Sequence, residues 1–168
     1  MGLIFDLDLT LVDSSIAESY RKTSDWKRVY QLIENFTIYD GILDLLNYAG
    51  DLKIPIAIVT SSPSNYCQKV INHFNLNINS LVCYHDTKLH KPHPEPLSFA
   101  VNKYFPKAHK VISFGDRMID MEASKAAGLI SVACLWGSKE GEMLSISKPN
   151  YIVKRPIEAF KIINKYFL

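Results

Sequence analysis

The stretch that decides the fold runs Gly2-Leu3-Ile4-Phe5-Asp6-Leu7-Asp8-Leu9-Thr10-Leu11-Val12-Asp13-Ser14. A short apolar run, Gly2 to Phe5, ends abruptly on a carboxylate. A run this short, with no polar alternation, predicts a strand buried on both faces. Working outward, the same signature recurs. Ile54 to Val59 ends at Thr60-Ser61, and Val111 to Phe114 ends at Gly115-Asp116. Leu81 to Tyr84, Leu129 to Leu135 and Tyr151 to Val153 are further short runs.

Between these runs the apolar period lengthens to that of a helix. Ile42, Leu45, Leu46 and Ala49 share a face after Asp40-Gly41, with Gly50 closing the segment. Cys67, Val70, Ile71 and Phe74 share another after Ser61-Ser62-Pro63-Ser64. A helix follows the Pro- and His-rich loop 85–96 to about Tyr104, another covers 119–127 and stops at Gly128, and Pro156 opens a last one. Strands alternating with helices predict an α/β fold, a parallel sheet covered on both faces. Active sites of such sheets lie beyond the carboxyl ends of the strands. The residues there are polar: Asp6 with Asp8, Thr60 with Ser61, and Gly115 with Asp116.

The length of 168 residues fits a single domain, residues 1–168. A content of 48% hydrophobic and 21% charged residues excludes a disordered chain. The net charge of +2 provides no strong field toward nucleic acid or an anionic membrane. No apolar run approaches the roughly 18 residues of a membrane span. The opening residues lack the basic stretch of a signal peptide. Cys67, Cys83 and Cys134 form no CxxC pair, which predicts free thiols and a cytoplasmic, reducing setting.

Asp6 and Asp8, two apart at a strand end, are expected to share one face. Two close carboxylates repel, so a divalent cation relieves them or one stays protonated. Asp116 and Asp120 stand one helical turn apart at a second strand-to-helix junction. Four carboxylates at one sheet edge suggest Mg²⁺, a hard cation that takes oxygen ligands. Lys91 and Thr60 offer positive charge and hydrogen bonds to an anion. Ser61 to Ser64 precede a helix, and helix N-termini suit phosphate.

These residues resemble a known family. Asp6 to Ser14 resembles motif I, DxDxT, of the haloacid dehalogenase-like (HAD) hydrolases. Val59-Thr60-Ser61 is similar to motif II and Lys91-Pro92-His93-Pro94-Glu95-Pro96 to motif III. Gly115-Asp116-Arg117-Met118-Ile119-Asp120, followed by Ala126-Ala127-Gly128, resembles motif IV. All four stand in the family's order across residues 6–128. Leu9 departs from the pattern, standing where the family often has Gly.

The resemblance implies a Rossmann-like, doubly wound parallel sheet. It implies a Mg²⁺-dependent phosphatase that works through an aspartyl-phosphate. Asp6 would be the nucleophile, and Asp8 the general acid and then the general base. Thr60 and Lys91 would hold the phosphoryl oxygens, beside Ser61 as the candidate from the helix start. Mg²⁺ would be held by the Asp6 side chain, the Asp8 backbone carbonyl and Asp116, with Asp120 a second ligand or an outer partner. A carboxyl at position 8 points to the phosphatase branch.

Many relatives insert a sizeable cap after motif I. Here residues 14–39 leave room for two short helices divided at Ser24-Asp25, which implies a C1-type cap of reduced size. Tyr20, Trp26 and Tyr30, with Arg21, Lys22, Lys27 and Arg28, are candidates to line its opening. A second subunit, in a homo-oligomer, is a candidate to complete the lid. The four basic residues read more simply as a solvated helix face.

Other classes stay open on the residues alone. A phosphotransferase or mutase would pass the phosphoryl group to an acceptor other than water. A receiver-like module also uses an aspartyl phosphate, but its acceptor Asp comes later in the chain. A non-catalytic scaffold would have lost part of the polar set. His85, His90 and His93 match no common zinc spacing and read as surface histidines. The partner is a phosphorylated substrate whose identity the motifs do not encode.

Overall fold

The computed structural model describes residues 1–78 and 80–167. In chain order the strands are β1 (Gly2–Phe5), β2 (Val12–Asp13), β3 (Thr37–Ile38), β4 (Ile56–Val59), β5 (Ser80–Val82), β6 (Val111–Gly115), β7 (Ile130–Cys134) and β8 (Tyr151–Val153). The helices are α1 (Glu18–Lys22), α2 (Trp26–Leu32), α3 (Ile42–Asp51), α4 (Ser64–His73), α5 (Glu95–Tyr104), α6 (Met118–Ala126), α7 (Gly141–Ile146) and α8 (Ala159–Phe167).

Six strands form one sheet in the order β5-β4-β1-β6-β7-β8, and every pairing in it is parallel. This is the doubly wound α/β architecture expected. Leu3 and Phe5 of β1 face the cluster that includes α3, α4 and α8, whereas Ile4 faces α5 and α6. All four residues of β1 are buried, which explains its uniformly apolar sequence. Phe5 and Phe114 are register partners on neighbouring strands, and their rings stack with centroids 4.6 Å apart.

From β1 the chain winds outward through β4 to β5, then crosses back to β6 and winds outward the other way to β8. The strand order therefore reverses beside β1. A crevice opens at such a reversal, outside the carboxyl ends of the strands.

Residues 12–38 leave this sheet. β2 and β3 pair as an antiparallel ribbon, Val12 opposite Ile38 and Asp13 opposite Thr37. Between them stand α1 and α2, divided at Ser24-Asp25. Asp25 caps α2, its carboxylate accepting from Arg28 N at 3.2 Å. Val29, Ile33 and Phe36 bury their side chains in the main core, so this segment is packed down onto it.

Several details differ from the sequence expectation. The ribbon and α7 carry too few residues for a period to show, and Leu144 is the buried residue of α7. The run 81–84 is strand only as far as Val82, because the Asp86 carboxylate accepts from Cys83 N at 2.7 Å and turns the chain. Pro156 opens a 3-10 turn, Pro156–Glu158, that leads into α8.

Candidate active site

A cleft of about 320 Å³ lies at the carboxyl ends of β1, β4 and β6. Asp6, Asp8, Thr60, Ser61, Asp116 and Asp120 all line it. Lys91 reaches Asp6 and Asp120 from the loop before α5.

Lys91 is the hub. Its side chain is 4% exposed, and its Nζ donates to Asp6 Oδ1 at 2.8 Å, Asp120 Oδ1 at 2.7 Å and Val59 O at 2.7 Å. All three ammonium protons are thus used. Burial works against the charged form, but Asp120 and Asp6 outweigh it and hold the ammonium above the ordinary lysine range.

Asp120 also caps the start of α6, where Arg117 N donates to its Oδ2 at 3.1 Å. Asp116 is 1% exposed, and its Oδ1 accepts from Thr10 Oγ1 at 3.0 Å. Burial pushes the Asp116 carboxyl up to about 9, with Asp120 and Asp6 adding to the effect. Burial likewise pushes Asp6 up to about 7, against the pull of Lys91 and with the push of Asp120. Two carboxyl groups, Asp6 and Asp120, thus contact one ammonium in a desolvated corner with Asp116 near them, more acidic groups than that one cation offsets.

That excess is the feature a cation would relieve. Among the described residues no group of three or more His, Cys, Asp or Glu side chains is placed to hold an ion by itself. Mg²⁺ commonly takes only one or two carboxylates, with waters and substrate phosphate completing its shell. An all-oxygen pair from Asp6 and Asp116 fits that habit.

Asp8 was expected to share its surroundings with Asp6, but it has its own partners. Its Oδ1 accepts from Ser14 Oγ at 2.6 Å and Tyr66 OH at 2.5 Å, with Arg21 Nη1 at 3.3 Å. Its Oδ2 accepts from Ser62 Oγ at 2.9 Å. Repulsion within the pair is therefore met by two separate cations, Lys91 for Asp6 and Arg21 for Asp8. Burial, then Asp8, raises the Tyr66 phenol far above its ordinary range, so Tyr66 acts as a donor.

Thr60 is buried, and its Oγ1 accepts from Ser62 N at 3.1 Å, leaving its hydroxyl proton free for another acceptor. Ser61 is exposed on the cleft wall, whereas Ser62 turns inward to Asp8.

Leu9 and Gly137 shape the mouth. Leu9 adopts φ +63°, the left-handed region that favours glycine. A side chain on Gly137 would begin 2.0 Å from Leu9 O, so only glycine admits the motif I loop here. Trp136 Nε1 anchors the same loop, donating to Thr10 O at 2.9 Å.

Thr10, Ser14, Arg21, Ser62 and Tyr66 are the contributors that motif reading missed as working parts. The solvated reading of Arg21 is corrected, since its side chain is 12% exposed and faces Asp8. Arg21, Lys22 and Trp26 line the cleft. Tyr20, Tyr30, Lys27 and Arg28 do not: Arg28 lies over the Tyr20 ring at 5.6 Å, and Tyr30 lies under Lys69 at 5.6 Å. At the rim, Glu18 pairs with Lys22 at 2.8 Å and with Lys139, which ties α1 to the loop after β7. His85 and His93 are exposed, and His90 stacks on Tyr84. Cys67, Cys83 and Cys134 are buried free thiols.

The chain is similar to several known proteins. A phosphoglycolate phosphatase of Pectobacterium atrosepticum is 26% identical over 133 residues, covering 76% of this chain and 55% of that protein. The pyrophosphatase PpaX of Bacillus pumilus is 25% identical over 162 residues, covering 92% and 75%. The chain thus spans about half the length of the first of these relatives. A hydrolase from Pseudomonas syringae has the same fold, with a TM-score of 0.80 at 19% identity over 98% of both chains. So does a HAD-superfamily hydrolase of subfamily IA from Geobacter sulfurreducens, with a TM-score of 0.74 at 18% identity, covering 96% of this chain and 98% of that one. Among the described residues no helix is long and apolar enough to cross a membrane. The sequence model of the haloacid dehalogenase-like hydrolases matches residues 16–134, well over half of the chain, and this protein belongs to that family.

Proposed function

We propose that the protein is a Mg²⁺-dependent phosphatase that hydrolyses a phosphate monoester through an aspartyl-phosphate on Asp6. The observation that supports this most is the separation of roles in the cleft. One carboxylate, Asp6, is held 2.8 Å from a buried ammonium, while a second, Asp8, is held independently by hydroxyls and Arg21.

In this reading an Asp6 oxygen attacks phosphorus. The ester P–O bond breaks, its electron pair stays on the leaving oxygen, and Asp8 gives that oxygen a proton. Asp8 then takes a proton from water, whose oxygen attacks phosphorus and frees Asp6. The Thr60 hydroxyl and Ser61 hold the phosphoryl oxygens, and the Lys91 ammonium beside Asp6 offsets the charge that builds on them. Asp6, Asp116 and the Asp8 main-chain carbonyl would hold Mg²⁺, with Asp120 behind them fixing Lys91. When bound, the ion supplies charge neutralisation to a dianion facing carboxylates.

Residues 14–39 serve as a reduced cap that forms one wall of the cleft. The relatives named for phosphoglycolate and pyrophosphate make small phosphate esters and anhydrides the first substrates to try. The three free thiols favour a cytoplasmic setting.

The test is release of inorganic phosphate from p-nitrophenyl phosphate with no acceptor added, with Mg²⁺ and then with EDTA. Metal-dependent, catalytic release is the expected result. Turnover only with an added acceptor would favour a phosphotransferase, and a single phosphorylation without turnover would favour a receiver-like role.

A further inference from the structure

We propose that the two-helix segment between β2 and β3 serves chiefly to position Asp8, with Arg21 and Tyr66 as positioning residues that anchor Asp8 Oδ1 and leave Oδ2 as the oxygen that exchanges the proton. The inference rests on the phosphatase reading and extends it to residues outside the family motifs.

The two oxygens of Asp8 are treated unequally. Oδ1 meets Ser14 Oγ, Tyr66 OH and Arg21 Nη1, which come from the end of motif I, from α4 and from α1. Among the described residues Oδ2 meets Ser62 Oγ alone. An oxygen held from three directions stays put. An oxygen with one hydroxyl partner can give up that contact to a leaving group or a water.

Both anchors are themselves held. Arg21 Nη1 also donates to Ser14 O at 3.0 Å, so the guanidinium bridges the loop and the carboxylate. Tyr66 is fully buried, and its ring packs against Trp26 of α2 at 5.6 Å and edge-on to Phe36 at 6.4 Å. The segment therefore reaches Asp8 twice, directly through Arg21 and indirectly through the ring of Tyr66. Val29 and Ile33 fasten it to the core, and Glu18 ties it to Lys139. Two short helices cannot enclose a ligand, but packed onto the core in this way they can hold a carboxyl in line. Misplacing a reacting group by about 1 Å can cost around a hundredfold in rate.

Leaving-group chemistry isolates this role. An alkoxide needs a proton as it departs, whereas p-nitrophenolate leaves without one. The experiment measures kcat/KM of the Mg²⁺-loaded enzyme for ethyl phosphate and for p-nitrophenyl phosphate and takes their ratio. Asp8→Asn calibrates the loss of the acid, a group typically worth ~10²–10⁴. Tyr66→Phe keeps the ring and removes only the hydroxyl. Arg21→Gln removes the second anchor from the other side and carries the test alone if Tyr66→Phe does not fold.

The expected result is a ratio lowered roughly tenfold or more in each folded variant, in the direction of Asp8→Asn. If Asp8→Asn itself leaves the ratio unchanged, the acid role of Asp8 fails and the proposal with it. If Asp8→Asn lowers the ratio but the anchoring variants leave it at the wild-type value, the proposal alone is overturned. Equal losses on both substrates in those variants overturn it in the same way, since a general structural defect does not sense the leaving group.

Discussion

A side chain on Gly115 would begin 2.4 Å from the Cβ of Asp120 and 2.6 Å from its Cγ. Asp120 therefore occupies the space over Gly115, and from that position it reaches Lys91 at 2.7 Å. The glycine that ends β6 is what lets this carboxylate sit beneath the cleft. Gly115→Ala is expected to push Asp120 off Lys91, destabilise the fold by about 1–3 kcal/mol and depress turnover. Urea unfolding and phosphate release measure both effects. A variant as stable and active as wild type would contradict the packing account.

Lys91→Met should be more damaging than its single charge suggests. It leaves Asp6, Asp116 and Asp120 close together with no ammonium between them. Removing one partner of a buried ion pair typically costs about 3–5 kcal/mol. The loss should be greatest at neutral to alkaline pH and shrink in acid, where the carboxyls take up protons. Denaturant melts across pH check this; a pH-independent loss would speak against it.

Metal-stripped protein should weaken as pH rises. Asp6 at about 7 and Asp116 at about 9 both lie above the unfolded carboxyl value of about 3.9. A carboxyl that binds its proton more tightly when folded stabilises the fold fully below its unfolded pKa. That contribution is lost as pH climbs through the folded pKa. The window therefore opens near pH 4 and runs to between 7 and 9. Added Mg²⁺ should raise the Tm more at about pH 8 than at about pH 5, because only the ionised carboxylates bind it. Equal shifts at the two pH values would count against Asp6 and Asp116 as the ligands.

Asp6→Asn should abolish turnover by orders of magnitude and leave the fold intact. The amide cannot form the phosphoenzyme, and Lys91 keeps Asp120 and Val59 O as partners. Stability should hold or rise, since one of three crowded carboxylates is gone. Near wild-type phosphate release would rule out covalent catalysis on Asp6.

Selectivity should be modest. The wall offered by α1 and α2 places Arg21, Lys22 and Trp26 on the cleft but does not cover it. kcat/KM is expected to vary little across small phosphorylated metabolites. Arg28→Ala should leave it unchanged, because Arg28 lies against Tyr20, away from the cleft. One metabolite preferred by several orders of magnitude would contradict this.

The strands of the main sheet, their parallel sense and the residues at their ends were legible in the sequence because apolar runs and their alternation with helical periods are local pattern. An apolar run that stops at Asp6, Thr60 or Gly115-Asp116 marks both a buried strand and the place where a site forms. Lys91 and Asp120 were legible only through their spacing within the four motifs. The partners of Asp8 were not legible. Tyr66 lies 58 residues from Asp8 and reads as one more residue of a helix, and Ser62, 54 residues away, reads as part of a turn. Arg21 reads as part of a solvated basic face until α1 and α2 fold down and turn it inward. Thr10, 106 residues from Asp116, is in the same position. By itself the sequence determined the strands of the main sheet, most of the helices between them and which residues reach the carboxyl edge of the sheet, since periodicity and chain stops are local. Only the tertiary structure decided which hydroxyl, phenol or guanidinium meets each carboxylate, because those contacts depend on how distant segments pack around the reversal beside β1.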